Sequence, residues 1–521
     1  MSGFSDADRT LLRDSLRQLL TRSWPAANAL ALSADSDCLI GQWRQLAEQG
    51  ITTLCAGSDT GGWREAVIAI EELGRAACPV PLLEAALCQQ LVVQARGTAA
   101  ESAQLIAGLV PAQILAVGIS SGKLLPALAF GALGGDADAG GATLVDNQRL
   151  NGAYRYVEGL GCATHMVLAL SCDGDSDKLA LVEAGAVGIT IVSQPGLAVP
   201  ALSELRLAST PCVPMSLPPG SIADLAALAR LGLVARSLGA ARRAFDLVLE
   251  HTRARRQFGQ LIGQFQAVQH KLANGLITLD ATTLLVANAA QRVASGDSDW
   301  RFAAHAALAF ATPALRQLEL DVQHTFGAIG YAEEHEAPRH FRRVYTDLAR
   351  LGGARGARAA LAANVLAPAG TRLPDMDLGT RVNELRSEIR SWLATHWNEA
   401  ARHRERQRPF QQRGVDAEFS RLLAGHGWIA AAWPTEYGGR GFGPLEQYVL
   451  MEELSLARAP TGAHNVAVEI IGPALIRYGT PEQKAHFLPA FRRGELLFSL
   501  GYSESEAGSD LASLRTRAVP D

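Results

Sequence analysis

The pattern "LAEQGITTLCAGSDTGG" at residues 46–62 returns as "LAGHGWIAAAWPTEYGG" at 423–439, aligning Gly50 with Gly427 and Gly61–Gly62 with Gly438–Gly439. Four extra residues later, "VIAIEELGRA" (67–76) meets "YVLMEELSLA" (448–457). Self-similarity at a nearly constant offset marks a repeated module. A chain of 521 residues is also longer than one hydrophobic core organises, so several domains are expected. The chain therefore reads as one whole module followed by the opening of a second.

Local texture sets the boundaries. Residues 1–110 carry helical periodicity: "DADRTLLRDSLRQLL" puts Leu11, Leu12, Leu16, Leu19 and Leu20 on one stripe, with Asp6 or Asp8 as the cap. Residues 111–220 turn to short β-prone runs ("MVLAL", "LALVEA", "GITIV") separated by Gly, Asp and Pro, and read as a strand domain. Residues 221–367 return to long helices, and 368–377 form a linker with Pro, Gly and acids. Residues 378–497 then repeat the first helical domain, and 498–521 begin a second strand domain. By comparison with the first copy, about 220 residues would complete the second.

Composition narrows the class. Apolar residues make up 48% and charged residues 19%, as in globular proteins. A net charge of -4 offers no basis for a nucleic-acid partner. All seven cysteines (Cys38, Cys55, Cys78, Cys88, Cys162, Cys172, Cys212) lie in the first 212 residues without CxxC spacing, which suits free thiols in a reducing compartment. The polar, acidic N-terminus is unlike a signal peptide, and the apolar stretch from Ala223 to Leu249 is interrupted by Arg230, Arg236, Arg242 and Arg243. A cytoplasmic protein without a membrane span is expected. The twelve histidines show no ligand spacing, and no metal is expected.

Three motifs carry chemistry. "GYSESEAGSD" (501–510) concentrates hydroxyls, acids and glycines as a polar binding loop does, although a serine-rich surface turn has the same composition. "RRQFGQLIGQFQAVQHKLA" (255–273) opens with two arginines, whose guanidinium forks suit a pyrophosphate or simply a solvated helix end. "HTFGAIGYAEEH" (324–335) supplies Gly327 and Gly330 for a close backbone approach or a plain turn. No GxSxG, HExxH or EF-hand pattern is present, and "GALGG" and "GGARG" lack the strand–helix setting of a dinucleotide loop.

These segments together resemble the acyl-CoA dehydrogenase family of flavoenzymes. "SESEAGSD" is similar to the family's T-E-P-x-x-G-S-D loop, with Ser503 for Thr and Ser505 for Pro. "RRQFG" with "FQAVQH" matches a second signature, and "HTFGAIGY" resembles Q-x-x-G-G-x-G-[FY], with His324 for Gln and Ala328 for the second Gly. The resemblance implies an α+β, mainly α fold: a helical domain, a β-barrel or sandwich middle domain, a four-helix-bundle C-terminal domain, then the start of a second copy. It implies FAD as cofactor, an acyl-CoA substrate, an electron-transfer flavoprotein as acceptor, a role in fatty-acid or lipid metabolism, and a homo-oligomer. Carried over residue by residue, Ser503 and the backbone at Tyr502 would hold the flavin ring, and Ser509 would lie toward CoA. Arg255, Gln257 and Phe258 would reach a neighbour's FAD, assisted by the segment at His324 and Gly327.

The implied reaction is α,β-dehydrogenation of a thioester, which needs a positioned base because the α proton is weakly acidic. The family's two positions for that base fall near Leu351 and Ala229, neither acidic. Asp347 lies four residues from Leu351, about 6 Å along a helix. "NGAYRYVEGLG" (151–161) resembles the strand ending in W-I-T-N, so Glu158 replaces a flavin-contacting hydroxyl. The first module thus reads as a non-catalytic half that serves the second, with the catalytic base expected beyond Asp521. A degenerate homologue that binds acyl-CoA or a partner without turnover, and a monooxygenase or oxidase on the same fold, are the competing readings.

Overall fold

The computed structural model describes residues 4–517 and 519, apart from 58, 99–114, 147, 171–176, 367–374 and 462–463. Cys172 and most of the expected linker lie outside the described residues. Two compact units emerge, Met1–Asp375 and Met376–Asp521, and each is described by itself.

The first unit opens with helices α1 (Asp6–Ser23), α2 (Ala29–Ala34), α3 (Ser36–Glu48), α4 (Trp63–Arg75) and α5 (Leu82–Thr98). The cap of α1 is Ser5, not Asp6 or Asp8. The Ser5 hydroxyl accepts from the Asp8 N–H while the Asp8 carboxylate accepts from the Ser5 N–H, a reciprocal box that satisfies two otherwise orphaned donors. Of the expected leucine stripe, Leu16 and Leu20 are buried, whereas Leu11 points to solvent.

Eight strands follow in one mixed sheet: β1 (Pro126–Ala129), β2 (Gly140–Val145), β3 (Arg149–Val157), β4 (His165–Leu170), β5 (Asp177–Glu183), β6 (Ile189–Gln194), β7 (Leu202–Pro211) and β8 (Val213–Leu217). Their order is β6-β7-β3-β2-β4-β5-β8, with β1 parallel to β4. "HMVLAL" of β4 is an almost unbroken buried run because it lies inside the sheet, while "ITIVSQ" of β6 is largely exposed at its edge. The runs MVLAL, LALVEA and GITIV thus fall in β4, β5 and β6.

The bundle consists of α6 (Ser221–Ala254), α7 (Gln266–Ser295), α8 (Trp300–Phe326), α9 (Ala337–Asp347) and α10 (Gly353–Val365). Helix α6 is the buried spine, and it crosses α4 at two glycines. A Cβ on Gly239 would stand 1.8 Å from the Glu71 carbonyl oxygen, and one on Gly74 would stand 2.0 Å from that of Arg236. Only a residue without a side chain lets these backbones approach so closely. Among the described residues, the helix long and apolar enough to cross a membrane is α7 rather than the stretch within α6. Here α7 packs Leu279, Val286, Ala289 and Ala290 into the bundle core.

The second unit holds α11 (Thr380–His396), α12 (Glu399–Gln407), α13 (Ala417–Gly425), α14 (Pro444–Leu456), α15 (Gly472–Tyr478) and α16 (Pro481–Arg492), with a π-helix over Val466–Ile471. Its core gathers Ile389, Trp397, Trp428 and Val449, and the Trp433 indole N–H donates to the Val468 carbonyl at 2.9 Å.

Candidate active site

The last turn of β3 delivers Glu158 into the interior of the first unit, where three guanidiniums meet it. Its carboxylate lies 2.7 Å from Arg236 on α6, 2.7 Å from Arg343 on α9 and 2.7 Å from Arg350 just beyond α9. Asp347, fully buried, takes the other side of Arg236 with two hydrogen bonds of 2.8 Å. Burial alone would raise the Glu158 carboxyl, but Arg236, Arg343 and Arg350 together hold it well below the usual carboxylate range. Burial would likewise lower Arg236, and Asp347 with Glu158 reverses that. Glu84 of α5 faces the same cluster, and burial followed by repulsion from Glu158 pushes its carboxyl up. Such a network is stable only while every charge keeps its partners.

The two positions where the resemblance would put a base are tied to each other. Leu351 donates its N–H to Asp136 at 2.7 Å, and its carbonyl accepts from Arg230 Nε at 2.8 Å. Arg230 is the neighbour of buried Ala229 and also donates to the Gly134 carbonyl at 2.8 Å. Asp136 further accepts the Gly352 N–H at 2.7 Å. The loop after β1 is thereby fastened onto the segment after α9. The cavity left beside Val157, Arg350 and Leu351 is about 30 Å³, far below the roughly 300 Å³ at which ligand sites begin.

At the end of the bundle, Arg255 caps α6, donating its N–H to the His251 carbonyl at 2.8 Å. A short hairpin, β9 (Arg256–Gln257) with β10 (Gln260–Leu261), then projects outward. Its turn places Phe258 at φ +53° and Gly259 at φ +80°. A left-handed phenylalanine is strained, and strain of this kind clusters at functional segments. Phe258 is 92% exposed, and among the described residues neither Arg255 nor Arg256 is ion-paired. The second motif lies at the same end: Phe326 packs between His251 (4.9 Å) and His335 (4.7 Å). His324 Nδ1 lies 2.7 Å from Lys271 Nζ, which also pairs with Asp321 at 3.2 Å. Gly327 ends α8 at φ +68°. Arg255, Gln257 and Phe258 are thus brought to the same end of the bundle as His324 and Gly327.

Tyr502, Ser503 and Ser509 lie in the second unit. There Gly494 (φ +67°) followed by "ELLFSLGYS" parallels Gly122 (φ +70°) followed by "KLLPALAFG" in the first. Ser503, Ser505 and Ser509 are exposed, and among the described residues none of their hydroxyls is hydrogen-bonded within the chain. Space is open around Gly508. A separate cavity of about 450 Å³ in this unit is lined by Trp428, Trp433, Leu450, Met451 and Val468, with Gln447 and Glu469 as its polar members.

The donor chemistry divides the two modules with respect to FAD. In the first, Glu158 is a carboxylate locked among three arginines, and the cavity of about 30 Å³ beside Val157 and Arg350 cannot take a three-ring heterocycle. In the second, unengaged hydroxyls and open backbone fit the polar edge of such a ring; the unpaired arginines that fit a pyrophosphate belong to the hairpin of the first. Reading single motifs missed Arg230, Arg236, Arg343, Arg350 and Asp136. The available signal was the arginines that interrupt the apolar helix, because a charge on a buried face requires a partner.

A helical domain, a sheet and a helical bundle in this order, with an arginine hairpin at the bundle's end, define an acyl-CoA dehydrogenase-type scaffold. Residues 222–365 match the family described as acyl-CoA dehydrogenase, C-terminal domain, and residues 381–495 match acyl-CoA dehydrogenase, N-terminal domain. Acyl-CoA dehydrogenase IpdE2 of Mycobacterium tuberculosis is 30% identical over 345 residues, covering 65% of this chain and 91% of that relative. Acyl-CoA dehydrogenase FadE34 of the same organism is 32% identical over 405 residues, 77% of this chain and 53% of FadE34, so the chain spans about half its length. Among solved structures, the ChsE4-ChsE5 complex from Mycobacterium tuberculosis has a chain that superposes with a TM-score of 0.58 at 23% identity, covering 70% of this chain and 99% of that one. The chain belongs to the acyl-CoA dehydrogenase family.

Proposed function

We propose that this protein contributes to FAD-dependent α,β-dehydrogenation of an acyl-CoA thioester, with its first module a non-catalytic half that lends pyrophosphate contacts to the flavin site of the second. The observation that carries this reading is the contrast between the filled, ion-paired surroundings of Glu158 in module one and the exposed, unpaired arginine hairpin on the same module. Arg255 would hold the pyrophosphate, with Gln257 and Phe258 beside it. Ser503 and the Tyr502 backbone would face the polar edge of the ring, and Ser509 would lie toward CoA. When bound, FAD supplies the hydride acceptor for the β hydrogen. The protein's own part is to orient the thioester and hold donors where negative charge develops. A heteromeric arrangement is supported by analogy with ChsE4-ChsE5, described as a complex, and an electron-transfer flavoprotein is the expected acceptor.

The test is purification of the full-length protein with FAD, followed by a panel of CoA thioesters under anaerobic conditions. Bleaching of the flavin absorbance is expected. A fully oxidised flavin across the whole panel overturns the dehydrogenase reading. A second reading is a flavin oxidase on this fold; two solved neighbours described as PigA with FAD, one also with proline, share the fold at 19% and 18% identity and bind that cofactor. Oxygen consumption without dependence on a CoA thioester would select it. Arg255→Met is predicted to lower retained FAD about tenfold or more, read as the flavin-to-protein absorbance ratio.

A further inference from the structure

The loop "SESEAGSD" is closed by one side chain. The Glu504 carboxylate accepts the backbone N–H of Arg515 (3.0 and 3.1 Å to its two oxygens), the backbone N–H of Thr516 (2.6 Å) and the Thr516 hydroxyl. Its main chain forms a reciprocal bridge with Ala507, at 3.0 Å from the Glu504 N–H and 3.1 Å from the Ala507 N–H. Ala507 is 2% exposed, while Ser503, Ser505 and Ser509 all face outward. The loop is a closed ring of backbone, fastened from inside by Glu504 and presenting its hydroxyls outside. Glu506 pairs only loosely with Arg515 at 3.6 Å, and both side chains are exposed.

We infer that Glu504 is a positioning residue: it fixes the backbone of Tyr502–Ser503 in the shape that receives the flavin ring before any ligand arrives. This rests on the reading of residues 501–510 as the flavin loop. A carboxylate is suited to the task because two oxygens with about four lone-pair directions can take three donors at once. A preformed loop binds better than a floppy one because it loses less conformational freedom on binding. Thr516 bonding lowers the Glu504 carboxyl first, followed by the Arg515 and Thr516 amides, so the fastening carboxylate is ionised at neutral pH.

The test uses the full-length protein and two readouts on the wild type, Glu504→Ala, Glu504→Gln and Ser503→Ala. Hydrogen exchange at the Arg515 and Thr516 amides reports the fastening, and FAD titration by fluorescence quenching reports the consequence. In Glu504→Ala both amides are expected to exchange at least about tenfold faster, with FAD affinity falling about tenfold. Glu504→Gln keeps one carbonyl acceptor and should recover part of both. Ser503→Ala should weaken FAD while leaving the two amides protected. Equal exchange in wild type and Glu504→Ala overturns the fastening itself. Lost protection with unchanged FAD affinity overturns its positioning role. FAD binding to neither protein, alongside a clear exchange difference, removes the flavin reading and the positioning role together.

Discussion

Two loops stand at the same place in the repeat, and they are closed in opposite directions. In the first module, the loop after β1 is fastened inward: Asp136 takes the amides of Leu351 and Gly352, and Arg230 joins Gly134 to Leu351. In the second, the loop is fastened to itself by Glu504 and turns its serines outward. The same device, an acid accepting backbone amides, therefore seals one module's interior and presents the other's polar surface. What differs is where the amides come from, the bundle in one case and the loop's own continuation in the other.

The largest way to break this contrast is Arg236→Met. It removes the guanidinium that bonds both Glu158 and Asp347 at 2.8 Å or less and leaves Asp347 with only Arg343 at 3.6 Å; the expected loss is about 3–5 kcal/mol of first-unit stability, measured from its urea transition. A loss below about 1 kcal/mol would mean that water reaches the cluster. Next comes Asp136→Ala, which frees two part-buried amides. A loss of about 2 kcal/mol is expected, with faster hydrogen exchange at Leu351 and Gly352 while Arg515 and Thr516 stay as they were.

A pH series sharpens the same point. The Glu158 carboxyl is held below its ordinary value in the folded state, so its contribution is fully present above the unfolded carboxylate range, about 4.3, and is lost as pH falls through the folded value. The stability gap between wild type and Glu158→Gln should therefore be wide at neutral pH and narrow in acid. A gap that widened in acid would contradict the cluster's charge assignment. The smallest effect belongs to Glu504→Ala, expected to change global stability by no more than about 0.5 kcal/mol because the loop is exposed. A larger thermal shift would mean that the loop braces the second unit rather than shaping a surface.

Much of the architecture was legible in the sequence. The change from helical to alternating texture and the strands "MVLAL" and "GITIV" are local signals, and local periodicity fixes them. The cap of α1 was misread because two aspartates stood beside the true cap, Ser5, and only geometry separates them. The charged cluster was illegible for a different reason. Glu158 meets Arg236, Arg343 and Arg350 across 78, 185 and 192 positions, and no window of sequence holds both partners. The resemblance singled out Glu158 and Leu351 as departures from the family's pattern. It could not say that Glu158 is held by Arg236, Arg343 and Arg350 while the Leu351 carbonyl is held by Arg230.

The charged cluster also has an evolutionary consequence. Replacing Glu158 with a hydroxyl residue would not restore a pocket. It would leave three buried guanidiniums facing Asp347 and the neighbouring Glu84, a state less stable than either starting point. Several positions on α6, on α9 and beyond it would have to change together before the interior could open. The cluster behaves as a ratchet in the physical sense: with Arg236, Arg343 and Arg350 all bound to Glu158, no single substitution opens this interior without stranding a buried charge.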